Sequence, residues 1–333
     1  MEGCSSRRSA LELIGAMAIG IAVSLAGVAA AADAWPSKPI RIVVPYAPGG
    51  IVDVRARQIA ERLSRNVGQP VVVENRPGAS TMIGVDAVAK SVPDGYTMLI
   101  ISANTFINLP LLMARLPYDP VKDLTPVTQY SATPYLVLVH PSLGVKTFKE
   151  FVALAKSKPG GLTYSSAGSG TFVNIAGEMV KHAAGLDIVH VPYKGDGQAL
   201  IDAVAGHVDM TINFPVTAGE FIKSGRLIPL MQSGAKRLHV LPDVPTALEV
   251  GYPELAVVPF GGFWVPSKTP KQILARLNTE LLKVFRSEEF KKILEDSGSE
   301  PHSGTPEEFA SLLDSERARW TDIIKKTGVK IEQ

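Results

Sequence analysis

The sequence predicts an α/β fold made of two blocks, and three observations predict it. A short β-branched run that stops at a glycine turn and opens a helix occurs twice. Each copy is followed by further alternating strands and helices, which implies parallel strands with helices on the sheet faces. Two helices then close the chain.

In the first block, residues 40–44 (IRIVV) follow Pro39 and read as a strand. Pro48-Gly49-Gly50 breaks it, and Val52, Ala56, Ile59, Ala60 and Leu63 then recur at helical spacing. Val71-Val72-Val73 is a second strand, a turn at 75–78 and a helix over 83–90 follow, and residues 96–101 form a buried strand. The stretch 110–126 is proline-rich and reads as irregular. Strand 135–140 and helix 147–156 lead to the second copy: strand 162–166, loop Gly168-Ser169-Gly170 and helix 171–184. Strand 188–191, helix 198–205 and strand 208–213 continue it, and a mixed region spans 227–265. The closing helices cover 271–285, with a continuation to 295, and 306–327; Thr269 and Thr305 are candidate caps, each followed by Pro at the first helical position.

Length and charge bound the function. A chain of 333 residues suggests two domains at ~150 residues each. Its net charge of +2 excludes an obviously basic nucleic-acid binder, and one cysteine excludes a disulfide scaffold. Residues 1–34 read as a cleaved export signal: Arg7-Arg8, an apolar run from Leu13 to Ala32, and small-x-small sites at 30–32 and 32–34. Ser6-Arg7-Arg8 has some twin-arginine character. Cleavage after Ala34 removes two basic and three acidic residues, taking the charge to +3, and removes Cys4, the only thiol. The mature chain is expected in the periplasm, with no disulfide and no thiolate metal site.

No catalytic set is visible. The six histidines form no HExxH and no i, i+4 pair, and neither GxSxG nor GxxxxGK[ST] occurs. Gly168-Ser169-Gly170 is half of a GxGxxG, with Val173 where the third glycine would stand. The glycine loops have a different chemical use. A strand that stops at a glycine turn and starts a helix presents unpaired backbone N–H groups and the positive end of a helix dipole, a seat for carboxylate or phosphate without an arginine. Ser166, Ser169 and Thr171 add hydroxyls at the second loop. Two blocks facing each other would form a cleft with such a cradle on each lip, at the carboxyl ends of the strands. Asp53 would repel an anion; it is expected to orient the first loop by accepting backbone N–H bonds. Lys194 ends a strand and could face the cleft.

The ordered series Trp35-Pro36, 45–53 (PYAPGGIVD), 73–78 (VENRPG), 93–97 (PDGYT), 116–120 (LPYDP), 163–171 (TYSSAGSGT), 190–195 (HVPYKG), 208–210 (VDM), 241–246 (LPDVPT) and 275–278 (ARLN) resembles the tripartite tricarboxylate transporter substrate-binding proteins, also called Bordetella uptake gene receptors. The resemblance covers essentially all of 35–333. It implies a two-domain periplasmic binding protein fold, type II-like, with the ligand cleft between the lobes. The lobes implied are 35–130 plus about 242–333, and 131–241. It implies a receptor, not an enzyme, that binds a small organic carboxylate and delivers it to the large and small membrane subunits of a tripartite permease. No cofactor, no metal and no nucleic acid are implied, and the chain is expected to be a monomer. The carried-over ligand-binding residues are Gly49, Gly50, Ile51, Val52 and Asp53 on the first loop and Ser166, Gly168, Ser169, Gly170 and Thr171 on the second, with Thr105 and Asn213 as further candidates.

Three places depart from the family pattern. Ile51 and Val52 stand where two hydroxyl residues are usual, Phe172 follows Thr171 where polar residues are frequent, and Asn213 stands where Asp is often found. Together they put acidic amino acids and polar multi-carboxylates in doubt, and Ile51, Val52 and Phe172 point to a ligand with an apolar or aromatic body and one strongly held carboxylate. Competing readings are a secreted hydrolase or dehydrogenase, which would need a nucleophile or cofactor, and a sensor-only receptor of the same fold.

Overall fold

The computed structural model describes residues 35–327; the expected export signal, 1–34, lies outside the described residues. Contacts divide the chain into Met1–Lys38, whose described residues 35–38 carry no helix or strand, and Pro39–Gln333. Pro39–Gln333 holds two sheets. The first takes β1 (Ile40–Val44), β2 (Val71–Asn75), β3 (Thr97–Ser102), β4 (Leu124–Ala132), β10 (Phe260–Pro266) and β11 (Glu300–Pro301) in the order β11-β4-β10-β3-β1-β2. The second takes β5 (Leu136–Val139), β6 (Thr163–Ser166), β7 (Val189–Pro192), β8 (Met210–Asn213) and β9 (Ile228–Gln232) in the order β7-β6-β8-β5-β9. The chain passes from the first sheet to the second through 133–135 and returns through 233–259.

The βαβαβ reading holds at the core of each sheet. β1 runs parallel to β2 and β3, and β6 runs parallel to β7 and β8. Such pairs need a helix in each crossover. These are α1 (Ile51–Val67) and α2 (Met82–Ala89) in the first sheet and α5 (Phe172–Ala184) and α6 (Asp196–Ala205) in the second; α3 (Ala103–Leu112) follows β3, α4 (Phe148–Ser157) precedes β6 and α7 (Pro215–Lys223) follows β8. α1 buries Val52, Ala56, Ile59, Ala60 and Leu63, the stripe read from the sequence. It ends at Gly68, whose φ of 68° supplies the left-handed cap. The centre of the first sheet is aromatic, with Phe106, Phe309 and Trp264 in ring contact at 4.7 and 5.1 Å. That of the second is aliphatic, built on Leu136, Leu138, Leu200 and Val204.

Four local expectations are corrected. The stretch 110–126 is not wholly irregular: Pro110 lies inside α3, and β4 begins at Leu124. The proline's missing N–H costs the helix one bond, to the Phe106 carbonyl, and α3 ends two residues later. α6 begins at Asp196, two residues earlier than the apolar spacing suggested. The closing segment 271–295 is two helices, α8 (Lys271–Phe285) and α9 (Glu288–Glu295), because the Ser287 side chain accepts from the Phe290 amide and restarts the helix. Thr269 caps nothing: its hydroxyl donates to the Pro266 carbonyl, and Pro270 holds the cap position. Thr305 does cap α10 (Pro306–Thr327), accepting from the Glu308 amide at 3.2 Å while Glu308 accepts from its own.

α10 packs on β4 and α3 of the first sheet and on α5 of the second. Its Trp320, fully buried, meets Phe172 edge-on at 6.0 Å. Among the described residues, no helix is long and apolar enough to cross a membrane.

Candidate functional site

Two small adjoining cavities of about 30 Å³ each lie between the sheets. They share Ile51, Val52, Ser102 and Phe214. Five helices start at their walls. Ile51 and Val52 open α1, Ser102 caps α3 and Thr105 lies in its first turn, Thr171 caps α5, Asp196 opens α6, and Phe214 caps α7. Each of these ends carries first-turn N–H groups without an intrahelical acceptor and a partial positive charge. No lysine or arginine lines either cavity among the described residues.

The Tyr46 hydroxyl adds a further donor. The side chain is buried, and the phenol lies close to Thr105 and the Ser102 backbone without a hydrogen bond of good geometry to either. Burial, reinforced by the charge of Asp196, pushes its titration far above the ordinary tyrosine range, so it stays protonated. A buried donor left unpaired costs about 1–3 kcal/mol, which an acceptor in the cavity would recover.

The first loop is held from two sides. On one side, Asp53 accepts from the Gly49 amide at 3.1 Å, from Arg57 at 2.9 and 3.1 Å and from Asn75 at 2.9 Å. Burial works against its charge, but Arg57, Asn75 and Gly49 outweigh it and hold the carboxyl below the usual range. On the other side, the Ala47 amide donates to the Lys194 carbonyl at 3.0 Å, and the Ile51 amide donates to the Asp196 carboxylate at 3.2 Å. The loop therefore meets the start of α6, an element of the other sheet.

The second loop is tied to itself. Ser166 Oγ accepts from the Gly168 amide at 3.1 Å and contacts His190 Nε2 at 2.7 Å, Thr171 Oγ1 donates to the Gly168 carbonyl at 2.6 Å, and the Gly170 amide donates to Asn174 Oδ1 at 2.8 Å. Gly168 and Gly170 have φ of 116° and 78°, which a side chain would resist. Across the cleft, the Phe172 amide at its end donates to Thr105 Oγ1 at 3.0 Å.

Of the sequence candidates, Ile51, Val52, Thr105 and Thr171 line the shared cavities. Gly50 packs directly behind them against Asp196. Gly49 lies on a separate groove with Tyr193 and Gln198, and Gly168 and Ser169 on another with Ser80 and Lys194. Ser166 and Gly170 hold the second loop from within. Asp53 points to Gly49 and away from the cavity lining. Asn213 is fully buried, donating to the Asp196 carbonyl at 3.2 Å. Tyr46, Ser102, Ala167, Val173, Asp196 and Phe214 also line the cavities and were not among the candidates. Tyr46 lies within the quoted PYAPGG run and Asp196 directly follows HVPYKG, but nothing local to those runs aims either side chain at a cleft.

The family model described as tripartite tricarboxylate transporter family receptor matches residues 55–329. The chain belongs to this family. Its members and structural neighbours are solute-binding receptors, and the two-sheet α/β architecture is that of periplasmic binding proteins. The receptor is 34% identical over 317 residues to Protein BugT of Bordetella pertussis, covering 94% of this chain and 97% of that one. It is similar to an R. palustris protein solved with adipate (33% identity, 89% and 99% covered, TM-score 0.85) and to MatC of Rhodopseudomonas palustris solved with bound malate (30% identity, 87% and 100% covered, TM-score 0.82).

Proposed function

We propose that the receptor binds a small organic carboxylate between its two sheets in the periplasm and delivers it, unaltered, to the large and small membrane subunits of a tripartite permease. The observation that carries this is the convergence of five helix N-termini on one cleft without a basic side chain. Backbone amides and dipoles in a water-poor space favour an anion, and they hold it by geometry and not by a mobile counter-charge. The adipate- and malate-bound neighbours support a carboxylate as that anion.

The cavities are too small for such a ligand as they stand. About 30 Å³ holds two or three waters at roughly 10–15 Å³ each, whereas small-molecule sites run to about 300 Å³ and above. Entry therefore needs the lobes, 35–130 with about 242–333 on one side and 131–241 on the other, to separate about the crossing segments 133–135 and 233–259. The ligand favours closure only through contacts it makes in the closed form alone. The buried Tyr46 hydroxyl and the first-turn amides of α3 and α5 are such contacts.

A thermal-shift screen on the mature chain tests the reading, with a panel of carboxylates set against the matching alcohols and amides. Carboxylates are expected to raise the melting temperature and the neutral analogues are not. Tyr46→Phe should weaken the best carboxylate about tenfold while leaving the ligand-free melt unchanged or slightly higher, because an orphan hydroxyl is lost. No response to any carboxylate, or chemical conversion of the bound compound, would overturn it.

A further inference from the structure

We propose that Asp196 sets the ligand class: its carboxylate fills the seat at the N-terminus of α1, so the site takes a monocarboxylate with an apolar body and refuses a second carboxylate. The inference rests on the carboxylate reading above. Asp196 is the only charged side chain among the described residues lining the two cavities, and it is 5% exposed. Its Oδ2 accepts the Ile51 amide at 3.2 Å, across 145 positions of chain. It therefore occupies, as an anion, the first free donor of α1, the place a ligand carboxylate would use.

The contact is built. A Cβ on Gly50 would lie 2.3 Å from Asp196 Oδ1, and one on Gly197 would lie 2.7 Å from the Gly49 carbonyl carbon. Glycine on both sides of the cleft lets the two helix starts meet with only the aspartate between them. Asn213 fixes the backbone behind it through the Asp196 carbonyl. Asp53 stands on the same side and adds like charge.

The rest of the wall suits one acid group. Tyr46, Ile51, Val52, Phe172, Val173 and Phe214 are apolar surface, while the Tyr46 hydroxyl and the α3 and α5 starts provide for a single carboxylate. A diacid would have to place its second charge against Asp196, two like charges in a space that holds almost no water.

Calorimetry with two matched pairs, hexanoate with adipate and benzoate with terephthalate, on the wild-type mature chain, Asp196→Asn and Asp196→Ser tests the assignment. In the wild type, the monoacid of at least one pair should bind ten times or more tighter than its diacid. Both variants should cut that preference at least tenfold by gaining diacid affinity. A melt without ligand checks folding, and Asp196→Asn keeps the side-chain volume if the serine variant proves unstable. A wild type that binds the diacids as tightly as the monoacids, or variants whose preference stays within twofold of the wild type, would overturn the assignment while leaving the carboxylate receptor standing. If no protein binds any of the four probes or any acid of the wider panel, the receptor reading fails and takes this one with it.

Discussion

Asp53 and Asp196 both stand in the first turn of a helix that starts at the cleft, yet their surroundings pull their titration in opposite directions. Asp53 has donors from Arg57, Asn75 and the Gly49 amide and is held ionised. Asp196 is also buried, but its cross-cleft donor is one amide of α1; burial raises its titration, eased by the Ile51 amide and its own backbone and worsened by Asp53. The difference shows what the two do. The first carboxylate is satisfied by its own loop, helix and neighbouring strand. The second finds its partner on a helix start of the other sheet, so its energy belongs to the contact between the two.

The largest expected break in this comparison is Asp53→Ala. It takes two bonds from Arg57 and one from Asn75 and frees the Gly49 amide, removing several hydrogen bonds to a charged, buried acceptor. A loss of about 2–4 kcal/mol is expected in urea unfolding. Asp196→Ala should cost far less in the same measurement, because it removes a buried charge with weak compensation.

Gly50→Ala sharpens the contrast from the other side. Gly50 has ordinary extended φ, so alanine is tolerated in the open form, but its Cβ collides with Asp196. Affinity for the preferred carboxylate should fall about tenfold in calorimetry with little change in melting temperature. The double variant Gly50→Ala/Asp196→Gly should recover part of the loss, which a purely local effect at Gly50 would not allow.

The smallest expected effect is a tilt in stability with pH. Asp53 has a lowered folded value, so its contribution is present above the ordinary aspartate value of about 3.9 and is lost as pH falls through the folded value. Asp196 has a raised folded value, so its contribution is present below about 3.9 and is lost as pH rises through the raised value. Melting temperatures followed from acid to neutral pH should therefore decline on the upper limb in the wild type and stay flat there in Asp196→Asn. An upper limb unchanged by that substitution would contradict the buried-charge account.

Much of the fold was legible because the signals are local. The apolar stripe of α1, the glycine turns and the Thr305–Glu308 cap depend on neighbours within a few residues. The misreadings have the same origin. Pro110 reads as a breaker because its place near the end of α3 follows from packing against β3, and Asp196 falls outside the apolar stripe of its helix because an acidic residue at the first helical position carries no apolar period. The site was legible at Ile51, Val52, Thr105 and Thr171, where loop chemistry and family pattern coincide. It was not legible at Tyr46 or Phe214, which look like core residues in sequence and differ only in facing a cavity.

The sequence by itself determined the two alternating blocks, their glycine loops and the family to which the chain belongs, since periodicity, turns and caps are short-range properties of the chain. Only the tertiary structure decided that the start of α1 meets Asp196, that the Tyr46 hydroxyl is left without a partner, and that Trp320 of α10 packs on Phe172 of α5. These contacts join residues far apart in the chain, and they arise from how closely two glycine-lined helix starts can approach, which no local pattern encodes.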